Sequence, residues 1–205
     1  MNVLHGAAGG AILVVLATGC GGTPGKDGGG APLLDPAHAR GWKHVGDGGF
    51  RIEGGVATTW GGRGVLYYAE REFADFALTL EFMQESQGAD SGVFVRFPDP
   101  RGDPAVPPEK GYQVEIGPVT NGTNQGMAAL DNVAAPIDDV PARPAGQWNA
   151  LEVRCAGQSY TVILNGRTVT TYTGDRALRG HIGLQNHDGG SIVHFRNVRV
   201  QELGP

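Results

Sequence analysis

Gly180-His181-Ile182-Gly183-Leu184-Gln185-Asn186-His187, followed by Phe195-Arg196-Asn197-Val198-Arg199-Val200, is the stretch on which the fold turns. Ile182 and Leu184 alternate with Gly183, Gln185 and His187, the period of two expected of a strand with one apolar and one polar face. The second run is again strand-like, and Asp188-Gly189-Gly190 between them has turn chemistry, so the sequence predicts a closing hairpin. A sheet made this way packs a core on one side and offers hydrogen-bonding, proton-exchanging groups on the other.

The same alternation recurs upstream. Phe76, Leu78, Leu80 and Phe82 interleave with Ala77, Thr79 and Glu81. Gly92 to Phe97 reads as a strand with Phe94 and Arg96 on one face, and Tyr112 to Ile116 places Gln113 and Glu115 together, opposite Val114. Phe50–Glu53 with Val56–Thr58, Gly64–Tyr68, Trp148–Cys155, Tyr160–Leu164 and Thr168–Tyr172 complete a series of short strands separated by turn residues. With 35 glycines and 13 prolines in 205 residues, this pattern specifies an all-β domain. Its expected form is a two-sheet sandwich of jelly-roll type, with an open barrel as the alternative. Residues 117–147 hold four prolines and no clear period, and an ordered loop of that length in a compact domain is usually functional. The net charge of −5, with arginines scattered rather than clustered, argues against a nucleic-acid partner.

The N-terminus is a separate unit. Ala11 to Ala17 is a short apolar run suited to a signal h-region, and Ala17-Thr18-Gly19-Cys20 resembles a bacterial lipobox. The expectation is a signal peptide over 1–19, a lipidated Cys20 with a flexible tether over 20–32, and one jelly-roll domain over 33–205. The mature protein is then a secreted lipoprotein on the outer face of the bacterial cell membrane, touching the membrane only through its anchor. Cys155, in phase with Leu151 and Val153, reads as a small buried hydrophobe.

Glu81, Arg96 and Glu115 sit mid-strand among core residues. In a meander their strands are neighbours, and their polar faces are expected to converge on one side of one sheet. Such a row can bind hydroxyls bidentately and shift carboxylate pKa values, or it can be a cross-strand ion-pair ladder. His187 ends a strand beside a turn, where its imidazole is exposed for proton exchange or held as a hydrogen-bonded structural residue. His181 and His194 add no metal-binding spacing.

Gly41-Trp42-Lys43, Phe76 to Phe82, Asp90-Ser91-Gly92-Val93-Phe94-Val95-Arg96, Gly111-Tyr112-Gln113-Val114-Glu115-Ile116, Pro144 to Asn149, Leu164-Asn165-Gly166 and the opening stretch occur in that order. Together they resemble the 3-keto-disaccharide hydrolase family (3-keto-α-glucoside 1,2-lyase/3-keto-2-hydroxyglucal hydratase domain) across residues 33–203. The resemblance implies a concanavalin A/laminarin-glucanase-like jelly roll and cleavage of oxidised 3-keto glycosides by 1,2-elimination and hydration. It implies His187 or Glu115 as base or acid, Arg96 at the oxyanion and Glu81 positioning Arg96. Asp90, Gln113, Gln185 and Asn186 would hold sugar hydroxyls. No cofactor is evident, and a divalent-metal requirement is left open. The chain departs from the family wording at Asp90, where Asn is usual, and in Gln113-Val114-Glu115, where the carboxylate and amide are exchanged. Met127-Ala128-Ala129-Leu130 likewise stands in place of the usual Gly-Ala-Leu-Tyr. A non-catalytic carbohydrate-binding lipoprotein and a conventional two-carboxylate glycosidase are the competing readings.

Overall fold

A computed structural model describes residues 12–15, 29–119, 123–137 and 140–204. Among them, two sheets pack face to face. The larger runs in the order β1 (Ile12–Val15), β4 (Gly49–Glu53), β5 (Val56–Trp60), β14 (Val193–Glu202), β7 (Phe76–Gln84), β10 (Asn149–Ala156), β11 (Ser159–Leu164) and β12 (Arg167–Thr173). In addition, β2 (Ala31–Leu34) pairs with β14. The smaller runs β3 (Trp42–Gly46), β6 (Gly64–Tyr68), β13 (His181–Asn186), β8 (Ser91–Phe97) and β9 (Tyr112–Ile116). Pairing is antiparallel except where β1 lies parallel to β4 at the sheet edge. The domain is an all-β, two-sheet jelly roll, as the strand pattern predicts. Of the segment read as a signal peptide, Ile12–Val15 forms that edge strand, while Cys20 lies outside the described residues. No helix among the described residues is long and apolar enough to cross a membrane.

The core lies between the sheets. Phe76, Leu78, Leu80 and Phe82 of the larger sheet meet Val93, Val95, Val114, Ile182 and Leu184 of the smaller one, all nearly or fully buried. Each such side chain contributes about 1.5–3 kcal/mol by leaving water. A second, smaller cluster (Val45, Val65, Tyr67, Phe94 and Phe97) sits on the outer face of the five-stranded sheet. The β8–β9 connection with its short helix α1 (Val106–Lys110) packs against β8 and β9.

Two expectations are corrected here. The closing stretch is not a hairpin: β13 belongs to the smaller sheet and β14 to the larger, so the turn after His187 is a corner between layers. Glu81 and Arg96 do not converge with Glu115 either. Consecutive strands β7 and β8 lie in different sheets, which puts Glu81 on the far side of the sandwich. Its carboxylate accepts from Arg196 Nε at 2.6 Å and Asn197 Nδ2 at 2.8 Å. Arg96 is the extra residue of a β-bulge, since Ile182 pairs with Val95 and His181 with Phe97. At φ +56° its side chain leaves the outer face and is fully buried. Its guanidinium donates to the carbonyls of Ala74 and Gly157, to Tyr160 Oη at 3.1 Å and to Asp75 Oδ1 at 2.8 Å.

Candidate functional site

The outer face of the smaller sheet carries a cleft of about 700 Å³, lined among others by Arg63, Asp90, Gln113, Glu115, Asp131, Gln185 and His187. Strand parity makes this site. Phe94 pairs with Gln113, Gly92 with Glu115 and Gly183 with Phe94, so Gln113, Glu115 and Gln185 share one face across three adjacent strands. Gly92 leaves the room that Gln113 occupies, since a Cβ there would stand 2.7 Å from Gln113 Nε2 and force that side chain to move. The strand is held on its other edge by the long loop. Ala128 N–H donates to the Glu115 carbonyl, Glu115 N–H to Ala129 and Asp131 N–H to Gln113, at 2.8–2.9 Å. That pairing buries Met127 to Leu130 and brings Asp131 to the cleft, where Asp90, Glu109 and Glu115 are the other carboxyls.

Gln113 Nε2 bridges the site, donating to Glu115 Oε2 at 2.8 Å and to Gln185 Oε1 at 3.1 Å. Glu115 is 6% exposed, and no ion pair reaches it among the described residues. Burial, then the charge of Asp90, the hydrogen bond with Asp90 and the charge of Asp131 push its pKa up to about 9, against a smaller opposing effect of the Gln113 amide. Glu115 is therefore held as a neutral acid at pH 7, with Asp90 as its carboxylate neighbour. Asp90 is also raised, first by burial, with His187 and Glu115 pulling it back. At the rim, His187 Nδ1 is 2.9 Å from Asp188 Oδ2. Asp188 also accepts the backbone N–H groups of Gly190 and Ser191. The His187 hydrogen bond chiefly holds Asp188 down to about 2. With Nδ1–H committed to that carboxylate, Nε2 is the basic nitrogen, and it stands 3.9 Å from Asp90 Oδ2.

Of the residues singled out in the sequence, the cleft thus gathers Asp90, Gln113, Glu115, Gln185 and His187. It does not gather Glu81, Arg96 or Asn186. Asn186 is fully buried and points to the core side, donating Nδ2 to the carbonyls of Gly49 and Trp60. Its phase with Ile182 and Leu184 already placed it there. Arg63, Asp131 and Asp188 were missed as site residues. All three sit in loops or turns, where alternation carries no signal, although a lone arginine inside Gly61-Gly62-Arg63-Gly64 is a charge held in a turn. Among the described residues no group of three or more His, Cys, Asp and Glu side chains is arranged to hold a metal ion.

Fold and cleft together define a jelly-roll domain whose smaller sheet bears a polar cleft lined by carboxyls, amides and an imidazole. Residues 29–201 match the family described as 3-keto-alpha-glucoside-1,2-lyase-like domain, and the chain belongs to that family. Its role is accordingly carbohydrate-related. A comparison with curated proteins finds no match. Among solved structures, the chain is similar to a proposed glycosyl hydrolase from Parabacteroides distasonis (22% identity, TM-score 0.69, covering 86% of this chain and 100% of that one). It is also similar to a galectin-like protein from Bacillus subtilis (14% identity, TM-score 0.61, 83% and 93%). A third is the carbohydrate-binding module CBM66 from Bacillus subtilis (16% identity, TM-score 0.57, 79% and 96%). At these identities the solved structures define the fold.

Proposed function

We propose that this domain cleaves 3-keto glycosides by 1,2-elimination and then hydrates the product to the free 3-keto sugar. The observation that carries the reading is the pairing of a neutral buried acid, Glu115, with an oriented imidazole base, His187, across one carboxylate, Asp90. Two titratable groups whose environments separate their roles are the mark of acid–base work. A ketone at C3 makes the C2 proton acidic. His187 Nε2 removes it, and the electron pair moves into C2–C3 and onto the C3 oxygen. The resulting imidazolium is stabilised by Asp90, and Asp188 keeps the ring in the productive tautomer. The enolate then expels the C1 substituent: C1=C2 forms, C3=O is restored, and Glu115 gives its proton to the departing oxygen. Water adds at C1, Glu115 takes the water's proton, and His187 returns the first proton to C2. Acid and base are regenerated, and the net change is hydrolysis. In this reading Gln113 and Gln185, joined by their own hydrogen bond, hold ring hydroxyls.

Matched oxidised and unoxidised disaccharides test the reading. Release of 3-keto-glucose from the oxidised substrate alone is expected. Release from the unoxidised sugar instead points to a conventional glycosidase, and calorimetric binding without any release points to a non-catalytic sugar-binding protein. We further propose that the domain is tethered to the outer face of the membrane through a lipidated Cys20, a reading supported by the Ala17–Cys20 sequence and the glycine-rich tether. A mature N-terminus carrying diacylglycerol on Cys20 is the expected mass; an unmodified chain retaining Ile12–Val15 would rule it out.

A further inference from the structure

Elimination through an enolate sets the cleft an electrostatic difficulty. Asp90, Glu109 and Asp131 all line it, so negative charge developing on a bound sugar is repelled. The cation that the sequence suggested, Arg96, is buried elsewhere and saturated by Ala74, Asp75, Gly157 and Tyr160. Among the described lining residues, Arg63 is the one guanidinium.

Its setting is built rather than incidental. Gly61-Gly62-Arg63 carries the chain from β5 in one sheet to β6 in the other. The Arg63 carbonyl accepts two backbone N–H groups, from Asp47 at 2.9 Å and Gly48 at 3.2 Å. The approach is so close that a Cβ at Gly46, itself at φ +107°, would lie 2.5 Å from that oxygen. The backbone is thus pinned while the side chain is exposed, with no hydrogen bond or ion pair to the described residues. Its charge already acts inside the cleft: burial raises Asp90, and Arg63 is among the groups drawing it back.

Resting on the elimination chemistry above, we infer that Arg63 is a further catalytic residue, whose guanidinium holds the C3 oxygen as that oxygen becomes an enolate. A planar fork of N–H donors suits an oxygen that gains charge only in the transition state, and such donors favour turnover over ground-state binding.

The test isolates enolate formation from leaving-group departure. Free 3-keto-glucose has no sugar leaving group, so exchange of its C2 proton for deuterium in D2O, followed by proton NMR, reports the first step alone. The full-chain wild type is expected to accelerate this exchange. Arg63→Gln should slow it about 100-fold or more, the usual cost of one oxyanion donor, with little change in KM and an unchanged unfolding midpoint. Arg63→Lys should recover part of the rate, and Arg101→Gln, on an exposed loop, should match wild type. Exchange by Arg63→Gln at the wild-type rate overturns the assignment and leaves the reaction standing. If wild type neither exchanges nor releases sugar, the reaction itself is wrong, and calorimetry with glucuronate against glucose then judges Arg63. A preference for the anion that Arg63→Gln abolishes keeps it as the anion-holding group; equal preference in both proteins removes it.

Discussion

Glu81 and Glu115 occupy the same kind of place in the sequence, mid-strand between apolar neighbours, yet the fold gives them opposite chemistry. Glu81 lies half-buried on the outer face of the larger sheet, matched by Arg196 and Asn197, with Arg196 stacked 3.9 Å over the Trp148 ring. Glu115 lies buried on the smaller sheet with an amide and two carboxyls for company. A carboxylate with a cation has its charge answered and is a structural tie. A carboxyl denied a cation keeps its proton and becomes a donor. The two arginines teach the same lesson in reverse: Arg96 is saturated by protein acceptors, whereas the Arg63 side chain has no hydrogen bond or ion pair among the described residues.

The largest effect expected from this contrast is on turnover. Glu115→Gln keeps the shape and the hydrogen bond from its neighbours but removes the proton to be given, and should lower kcat on 3-keto disaccharides by about 10²–10⁴-fold. Steady-state release assays read this directly, and an unchanged rate would take Glu115 out of the chemistry. Next is the arginine pair. Arg96→Met leaves the Ala74 and Gly157 carbonyls and Asp75 without their donor, and should destabilise the fold by about 3 kcal/mol in urea unfolding. Arg63→Met touches no such partner and should stay within about 0.5 kcal/mol.

Those two arginines also mark how far the sequence could be read. Alternation and turn residues located eleven of the fourteen strands, all but β1, β2 and β3, and gave the shared face of Gln113, Glu115 and Gln185, because parity within a strand is a local property. It could not say which sheet a strand joins, which is why Glu81 and the closing stretch were misplaced. It also assumes unbroken pleating. The bulge at Arg96 inserts one residue, so Phe94 and Phe97 end on the same outer face while Arg96 turns inward. No residue type announces that, since the bulge is closed by pairing with β13, far away in sequence. Asp131 and Arg63 were silent for a different reason. They are positioned by backbone hydrogen bonds of loops to distant strands, and such contacts leave no periodic trace.

The contrast also appears in how stability depends on pH. A glutamate carboxyl titrates near 4.5 in an unfolded chain, and burial in the fold, with Asp90 and Asp131 nearby, pushes Glu115 up to about 9. Below about pH 4.5 both states hold the proton and the group is neutral to stability. Above that, the unfolded chain releases a proton that the native state keeps, so stability falls as pH rises until about 9. The slope attributable to Glu115 is at most one proton, or about 1.4 kcal/mol per pH unit. Glu115→Gln should flatten this part of the curve and be more stable than wild type at pH 8. Catalysis follows the same proton: activity should fall as pH passes about 9 and Glu115 loses the hydrogen it donates.

The smallest effect is reserved for Glu81. Glu81→Gln removes a partly exposed cross-strand pair whose two side chains are each about one-third exposed (36% for Arg196 and 32% for Glu81). Water and salt screen such a pair, and Arg196 retains its stacking on Trp148, so the loss should be within about 1 kcal/mol and should shrink further in high salt. Turnover and sugar affinity should not change, because Glu81 is on the larger sheet, across the packed core from the cleft on the smaller one. Measuring Glu81→Gln beside Glu115→Gln therefore separates position in the sequence from position in the fold. If the larger catalytic loss fell on Glu81, the working face would be that of the nine-stranded sheet, and the acid–base assignment in the cleft would have to be given up.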